Sequence, residues 1–492
     1  MSEPQYRQKL VELRRPFGIS AITSWWQPGT IGEPCPETTS GDLDYLPSVK
    51  ATLEAGIPAI DYYFVGYNEQ DCWRKILRLK EGGKGSETWQ HMVDHMSFAA
   101  PQIRAVFRAL PKTSQVHRGY ARVVALATNV KAISRVAATW QYQDRRASVA
   151  PLLKAWRLRN QGSAPPCPLL PVEAALVVAS SVSAPVVELV GGLRIDPRLD
   201  AAAPAEGRYM WVDEFLSPPR GGAPSPRNRL VDNLFWLATF ILTKLPPKTL
   251  PTGAGLDDRV VPPVTLALEI EHGSGYLLNS LGAYRRVRQE YDRLVEERVS
   301  LLETCRERDD CLRTFQQFGT IANPTVANWC QLRSLYGSCI GLNVDVGHMF
   351  LIGARPWDVS SFVWQGESIC RWKTARDRTP TVVEANPEPL PAHDLTREVV
   401  HYHVSDHRGV HYADLPPGCY HAARDFEPWL RQAYAVAQMD RWREALPDHY
   451  PLVHPNLTRH VAIELEASIA GQDQLVTTFA LAQHWLRRFT SN

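Results

Sequence analysis

The 492-residue chain has no CxxC pair, no long uninterrupted apolar run and almost no excess of either charge. Its nine cysteines are scattered and odd in number, which argues against a disulfide framework and for reduced thiols in a cytosol. The most apolar window, 174–192, is broken by Pro185 and Glu188 and is too short to span a bilayer. The first residues, MSEPQYRQKLVELRR, are charged where a secretory leader needs an apolar core, so a cytoplasmic protein is expected. Basic residues number 54 and acidic residues 52, and no basic stripe offers a track for a phosphate backbone. EGGKGS (81–86) lacks phosphate-loop spacing, HGSGY (272–276) lacks nucleophile-elbow spacing, and no internal repeat is visible. These absences set aside disulfide scaffolds, membrane spans and phosphate-loop enzymes.

What is present is an alternation of short apolar runs with helical stretches. Runs at 17–23, 57–67, 121–130, 209–217, 264–271, 340–346, 399–405 and 460–466 read as strands. Helical patterns fall at 46–56, 70–80, 87–110, 131–158, 228–245, 279–316 and 423–445. Eight strands alternating with helices predict an α/β fold, a (β/α)8 TIM barrel with large loop and helical insertions. The chain is expected to form one barrel domain over 1–492. Residues 159–207, rich in Pro, Ala and Gly, read as an insertion or long loop. The 279–316 helix carries charge on most faces and reads as a solvated or partner-facing element.

Four of the runs end in metal-ligand side chains: LALEIEHGSG (266–275), GLNVDVGHMFLIG (341–353), HYHVSDHRG (401–409) and HVAIELEA (460–467). Alternation sets Glu269 and Glu271 against Leu266, Leu268 and Ile270, and Glu464 and Glu466 against Val461, Ile463 and Leu465. His401 shares a face with His403, and Asn343 with Asp345. In a parallel barrel the apolar set packs on the helices, so the polar set points inward. Buried acids repel one another unless a cation gathers them. One divalent metal ion at the barrel mouth resolves that conflict. Oxygen and nitrogen ligands without thiolate suit Mn²⁺, Mg²⁺, Co²⁺, Fe²⁺ or Zn²⁺.

These segments resemble the xylose-isomerase-like superfamily, which includes sugar isomerases, epimerases and endonuclease-IV-type apurinic endonucleases. Its L-E-x-x-x-G-x-G pattern matches Leu268, Glu269, Gly273 and Gly275. Its D-x-x-H followed by apolar residues and glycine matches Asp345, His348 and Gly353. Its H-x-x-D matches His403 and Asp406, and its last-strand apolar-Glu pair matches Ile463 and Glu464. The DLPPG turn (414–418) is similar to the loop after the histidine strand in many members. The resemblance covers mainly 264–467 and lapses through 159–207.

The resemblance implies that Glu269, Asp345, His403 and Glu464 bind the ion, with Glu271, Glu466 and His401 as in-register alternatives. It implies that Glu269 and Glu464 act as an acid–base pair beside a substrate carbonyl, and that His348 is a catalytic or substrate contact or an extra ligand. Hydroxyl contacts would come from strand-end residues: Trp26, beside Trp25, then Asp61, Asn129, Glu214, Asp406, His407 and His411. His401, His403, His407 and His411 together form a second candidate ion site. The expected function is a metal-dependent isomerase or epimerase of a sugar or other polyhydroxylated small molecule. The alternatives are a lyase or dehydratase on an oxidised sugar or glycoside, a phosphodiester hydrolase, and a non-catalytic barrel that carries a metabolite. The second and third strand runs contain no histidine, which disfavours the nuclease. Nucleic acid and membrane partners are not expected; a homo-oligomer is left open.

Overall fold

The computed structural model describes residues 17–23, 52, 55–57, 59–63, 122–128, 169–192, 226–245, 247–250, 259–272, 276–304, 308–309, 313, 315, 326–366, 368–372, 380–382, 390–407, 415–446, 449–465 and 472–490. The strands are β1 (Gly18–Thr23), β2 (Ala59–Tyr63), β3 (Arg122–Thr128), β4 (Val186–Val190), β5 (Lys248–Leu250), β6 (Arg259–Val261), β7 (Thr265–Glu269), β8 (Ile340–Asp345), β9 (Phe362–Gln365), β10 (Ser368–Trp372), β11 (Pro380–Val382), β12 (Val399–Val404) and β13 (His460–Ile463). The helices are α1 (Leu170–Val182), α2 (Pro226–Lys244), α3 (Leu281–Thr304), α4 (Val326–Gly337), α5 (Val346–Leu351), α6 (Pro356–Val359), α7 (Ala423–Ala445) and α8 (Gln472–Thr490). Eight strands close a barrel in the order β1-β13-β12-β8-β7-β4-β3-β2. The pairs β1–β2, β1–β13, β12–β13, β12–β8 and β4–β7 are all parallel. This is the (β/α)8 barrel that the strand pattern predicts.

The fourth barrel strand differs from expectation. It is β4, inside the stretch read as a loop, and α1 precedes it there. The 209–217 run lies outside the described residues, as do the helical patterns at 70–80, 87–110 and 131–158. The misreading has a physical cause. VVELV is buried at every position, so it shows no polar face to alternate against. Helix α1 is likewise apolar along most of its length, although Pro171 in its first turn is a helix-start signal. The Pro-rich 379–393 loop also contributes β11.

The chain divides into two compact units. One comprises Met1–Tyr63, Ala109–Ala125 and Gly341–Asn492; the other comprises Phe64–Arg108 and Leu126–Ile340. In the second unit, α2 is buried on all sides from Leu230 to Thr243, as expected of a helix that is apolar around its circumference. Helix α3 is amphipathic, which corrects its reading as a solvated rod. Tyr284, Tyr291, Leu294 and Val299 are buried, while Arg293 pairs with Glu290 and Glu297 on the outer face. Arg298 of α3 is also buried, 3.8 Å from Asp232 of α2 and 5.1 Å from the Phe235 ring. In β4–β7, Glu188 lies opposite Ala267 and Val190 opposite Glu269, so Glu188 and Glu269 share a sheet face.

The first unit adds an antiparallel sheet, β11-β10-β9, between β8 and β12 in sequence. It packs on α7 through aromatic edges: the Trp364 ring is 4.8 Å from Tyr434 and 5.7 Å from Trp442. Such a buried aromatic cluster anchors the insertion. Among the described residues, no helix is long and apolar enough to cross a membrane.

Candidate metal centre

Strand β8 ends at Asp345, and the same residue starts α5. Its backbone is extended (φ −81°, ψ 115°), and its Oδ1 accepts from the His348 backbone N–H at 3.0 Å. The D-x-x-H spacing is therefore an N-cap with its N3 partner. The other carboxylate oxygen, Oδ2, is buried and has no hydrogen-bond partner among the described residues. A buried acceptor left open in this way is a position that a cation or a water can fill. Gly353, with φ +70°, closes the turn after α5.

Strand β12 lies in register with β8. His401 is opposite Asn343, and His403 is opposite Asp345. This makes two stacked polar layers inside the first unit. In the upper layer, Glu464 Oε2 accepts from His403 Nδ1 at 3.1 Å. The Asn343 amide nitrogen lies 3.2 Å from both His403 ring nitrogens and restrains the ring. One ligand atom each from Asp345, His403 and Glu464 can be chosen so that all lie within 4.8 Å of one another. In the lower layer, Asp61 Oδ2 accepts from His401 Nε2 at 2.8 Å, and His401 Nδ1 is 2.6 Å from the Thr458 hydroxyl. His401 thus forms a hydrogen-bonded layer with Asp61 and Thr458 next to His403.

The electrostatics follow from the imidazoles. Burial would push the Asp345 carboxyl up. The His348 charge, then His403, the His348 backbone N–H and His407, outweigh it and hold Asp345 at about 2. Burial likewise opposes ionisation of Asp61, but the charge and hydrogen bond of His401, with His403 and His460 behind them, lower its pKa. Both acids are carboxylates at neutral pH, the form that binds a cation.

A second grouping shares Asp345. His348 and His407 are buried, and each offers a ring nitrogen within 4.8 Å of the other and of an Asp345 oxygen. Their ring centroids are 5.6 Å apart, and Ser405 Oγ is 3.2 Å from His407 Nε2. Gly347 lets α5 approach them. A Cβ there would sit 2.5 Å from His407 Cδ2 and 2.5 Å from Ser405 Oγ. Gly347→Ala should therefore keep the fold but lose about 1–3 kcal/mol through overpacking, read as a lowered midpoint in urea.

Asp406 is one of the expected substrate contacts. Both its oxygens are engaged, accepting from the backbone N–H groups of His407, Tyr420 and His421 at 2.9, 2.7 and 3.0 Å and from His421 Nδ1 at 2.6 Å. It ties the turn after β12 in place. In the second unit, Glu269 ends β7 and is 8% exposed. Glu271 lies beyond the strand, its N–H bonded to the Leu278 carbonyl at 2.9 Å. Trp25, Trp26, Asn129, Glu214, His411 and Glu466 lie outside the described residues.

Sequence reasoning read Glu188 only as a break in an apolar window, because VVELV is buried at every position and shows no alternation. It missed His421, which nothing in the pattern marks.

No family model matches the chain, and no curated protein matches it in sequence. Solved structures similar to it include the apo form of 3-keto-D-glucoside 4-epimerase, YcjR, from E. coli. That likeness has 11% identity and a TM-score of 0.38, covering 96% of this chain and 100% of that one. D-psicose 3-epimerase in the presence of D-fructose gives 9% identity and 0.38, covering 96% and 100%. IOLI protein with a bound zinc atom gives 10% identity and 0.39, covering 90% and 93%. The barrel assignment rests on the chain's own strand order.

Proposed function

We propose that the chain is a divalent-metal-dependent isomerase or epimerase of a sugar or sugar derivative, with Glu269, Asp345, His403 and Glu464 as the ligand set. The supporting observation is the buried grouping of Asp345, His403 and Glu464, with the open Asp345 Oδ2 among its oxygens. Glu269 is assigned as the fourth ligand from its match to the L-E-x-x-x-G-x-G pattern at the end of β7. Three oxygens and one imidazole suit Mn²⁺, Mg²⁺, Co²⁺, Fe²⁺ or Zn²⁺.

When bound, such an ion would polarise a substrate carbonyl and stabilise the negative charge that develops beside it. Glu269 and Glu464 handle the proton. One takes it from the carbon next to the carbonyl, and the other returns it on the opposite face or on the neighbouring carbon. His348 contacts a substrate oxygen, and His407, beside it, contacts a second. Trp26, Glu214 and Asp406 complete the substrate contacts, and Asp406 also ties the turn it holds. The Asp61–His401 pair keeps the layer next to His403 ordered.

The test is the metal content of purified protein, wild type against Glu269→Gln, Asp345→Asn and His403→Ala. Removing a neighbour that merely orients a ligand weakens metal binding about 10–100-fold, so each ligand change should reach or exceed about a hundredfold. Full retention of the ion in all three variants rejects the reading.

A further inference from the structure

Helix α5 has six residues, too few to hold its own orientation. Both its ends are pinned by neighbours. Asp345 caps the start. At the other end, the Phe350 ring stacks on His421 at 4.4 Å and 23°, and meets Phe426 edge-on at 4.9 Å. His421 is itself fixed by Asp406, which accepts from its backbone N–H and from its Nδ1. Asp406 also forms a two-way backbone bridge with Leu415, at 2.8 Å in each direction. Asp406 and His421 therefore clasp the 415–421 turn to the last turn of α5, and His348 lies between the two pins. All these residues belong to the first compact unit.

We propose that His421 is a positioning residue: the Asp406–His421 clasp, acting through Phe350, holds α5 and thereby keeps the His348 imidazole aimed at the reacting centre. The role of His348 in this statement rests on the function proposed above; the clasp itself does not. A charge-assisted hydrogen bond to a fully buried carboxylate is among the stronger single contacts available to a loop. The stacked ring transmits that restraint, since Phe350 has an aromatic plane on each side.

The experiment measures deuterium exchange at the imidazole C2 position of each histidine by mass spectrometry. It compares wild type with His421→Phe, which keeps a ring against Phe350 but cannot donate to Asp406, and with His421→Asn, which keeps a short donor. Leu452→Ala, at another exposed position of the same unit, is the control. Exchange at His348 should rise about tenfold or more in His421→Phe, the factor set by loss of one charge-assisted hydrogen bond. It should rise less in His421→Asn and stay unchanged in Leu452→Ala. His401 and His454, buried elsewhere in the same unit, should keep their wild-type rates. Bound Mn²⁺ should also be unchanged, because none of the proposed ligands belongs to the clasp. A uniform rise at His348, His401 and His454, or no rise at His348, overturns the proposal. A wild-type protein that binds no Mn²⁺, Co²⁺ or Zn²⁺ counts against the proposed function alone, and the exchange pattern still decides the clasp.

Discussion

Glu269→Gln and Glu464→Gln should each lower turnover by about 10²–10⁴-fold, the range that one positioned acid–base group contributes. Glutamine keeps the length and one oxygen of glutamate but not its charge, and because each residue is also a proposed ligand, turnover is compared at saturating metal. The readout is carbon-bound deuterium appearing in candidate ketoses and aldoses incubated in D₂O. With a pair of acids the two losses need not match. The residue that takes the proton should block exchange altogether. The residue that returns it should still permit exchange at the starting carbon while product formation fails. Elimination of water or of an aglycone instead of exchange would identify a lyase. If both variants retain wild-type turnover on a substrate the wild type converts, the acid–base assignment is wrong. Glu464 is the more accessible of the described pair, its side chain 27% exposed beside a His403 that is 1% exposed. It is the better placed to meet a substrate entering from solvent.

Asp232→Ala should destabilise the second unit by about 3–5 kcal/mol, the cost of leaving a buried charge without its partner. Arg298 and Asp232 have side-chain exposures of 1% and 2%, so water cannot replace the lost carboxylate. For a protein whose total stability is typically about 5–15 kcal/mol, that is a large fraction. Urea unfolding followed by tryptophan fluorescence reports it directly, because Trp236 lies in the same buried helix. The double variant Asp232→Leu with Arg298→Met should recover most of the loss, since an apolar pair of similar volume carries no desolvation cost. A loss below about 1 kcal/mol in the single variant would show that the pair is not a buried charge couple.

Most barrel strands were legible from sequence for a simple reason. β7, β8, β12 and β13 each bring polar groups to one face of an apolar run, and alternation makes that visible. β4 was not, because its five residues are buried on both faces and its single acid, Glu188, looked like an interruption of an apolar window. Helix α7 matched its predicted span because its polar residues recur at helical spacing. The outer face of α3 was read correctly, but its buried face was masked by Arg298, a charge in a position usually held by a hydrocarbon. Among the site residues, alternation put candidate ligands at the strand ends and register sets His403 opposite Asp345, while the choice of these two with Glu464 over their in-register neighbours came from the motif resemblance. The Asp61–His401 layer and the His421 clasp do not follow, because side chains that no local pattern couples make them, across 340 positions in one and 15 in the other.

Asp345 gives one oxygen to the backbone of α5 and leaves the other open. One carboxylate thus serves two ends at once: the oxygen that starts α5 is already engaged, and the second is the one that the proposed ion would meet.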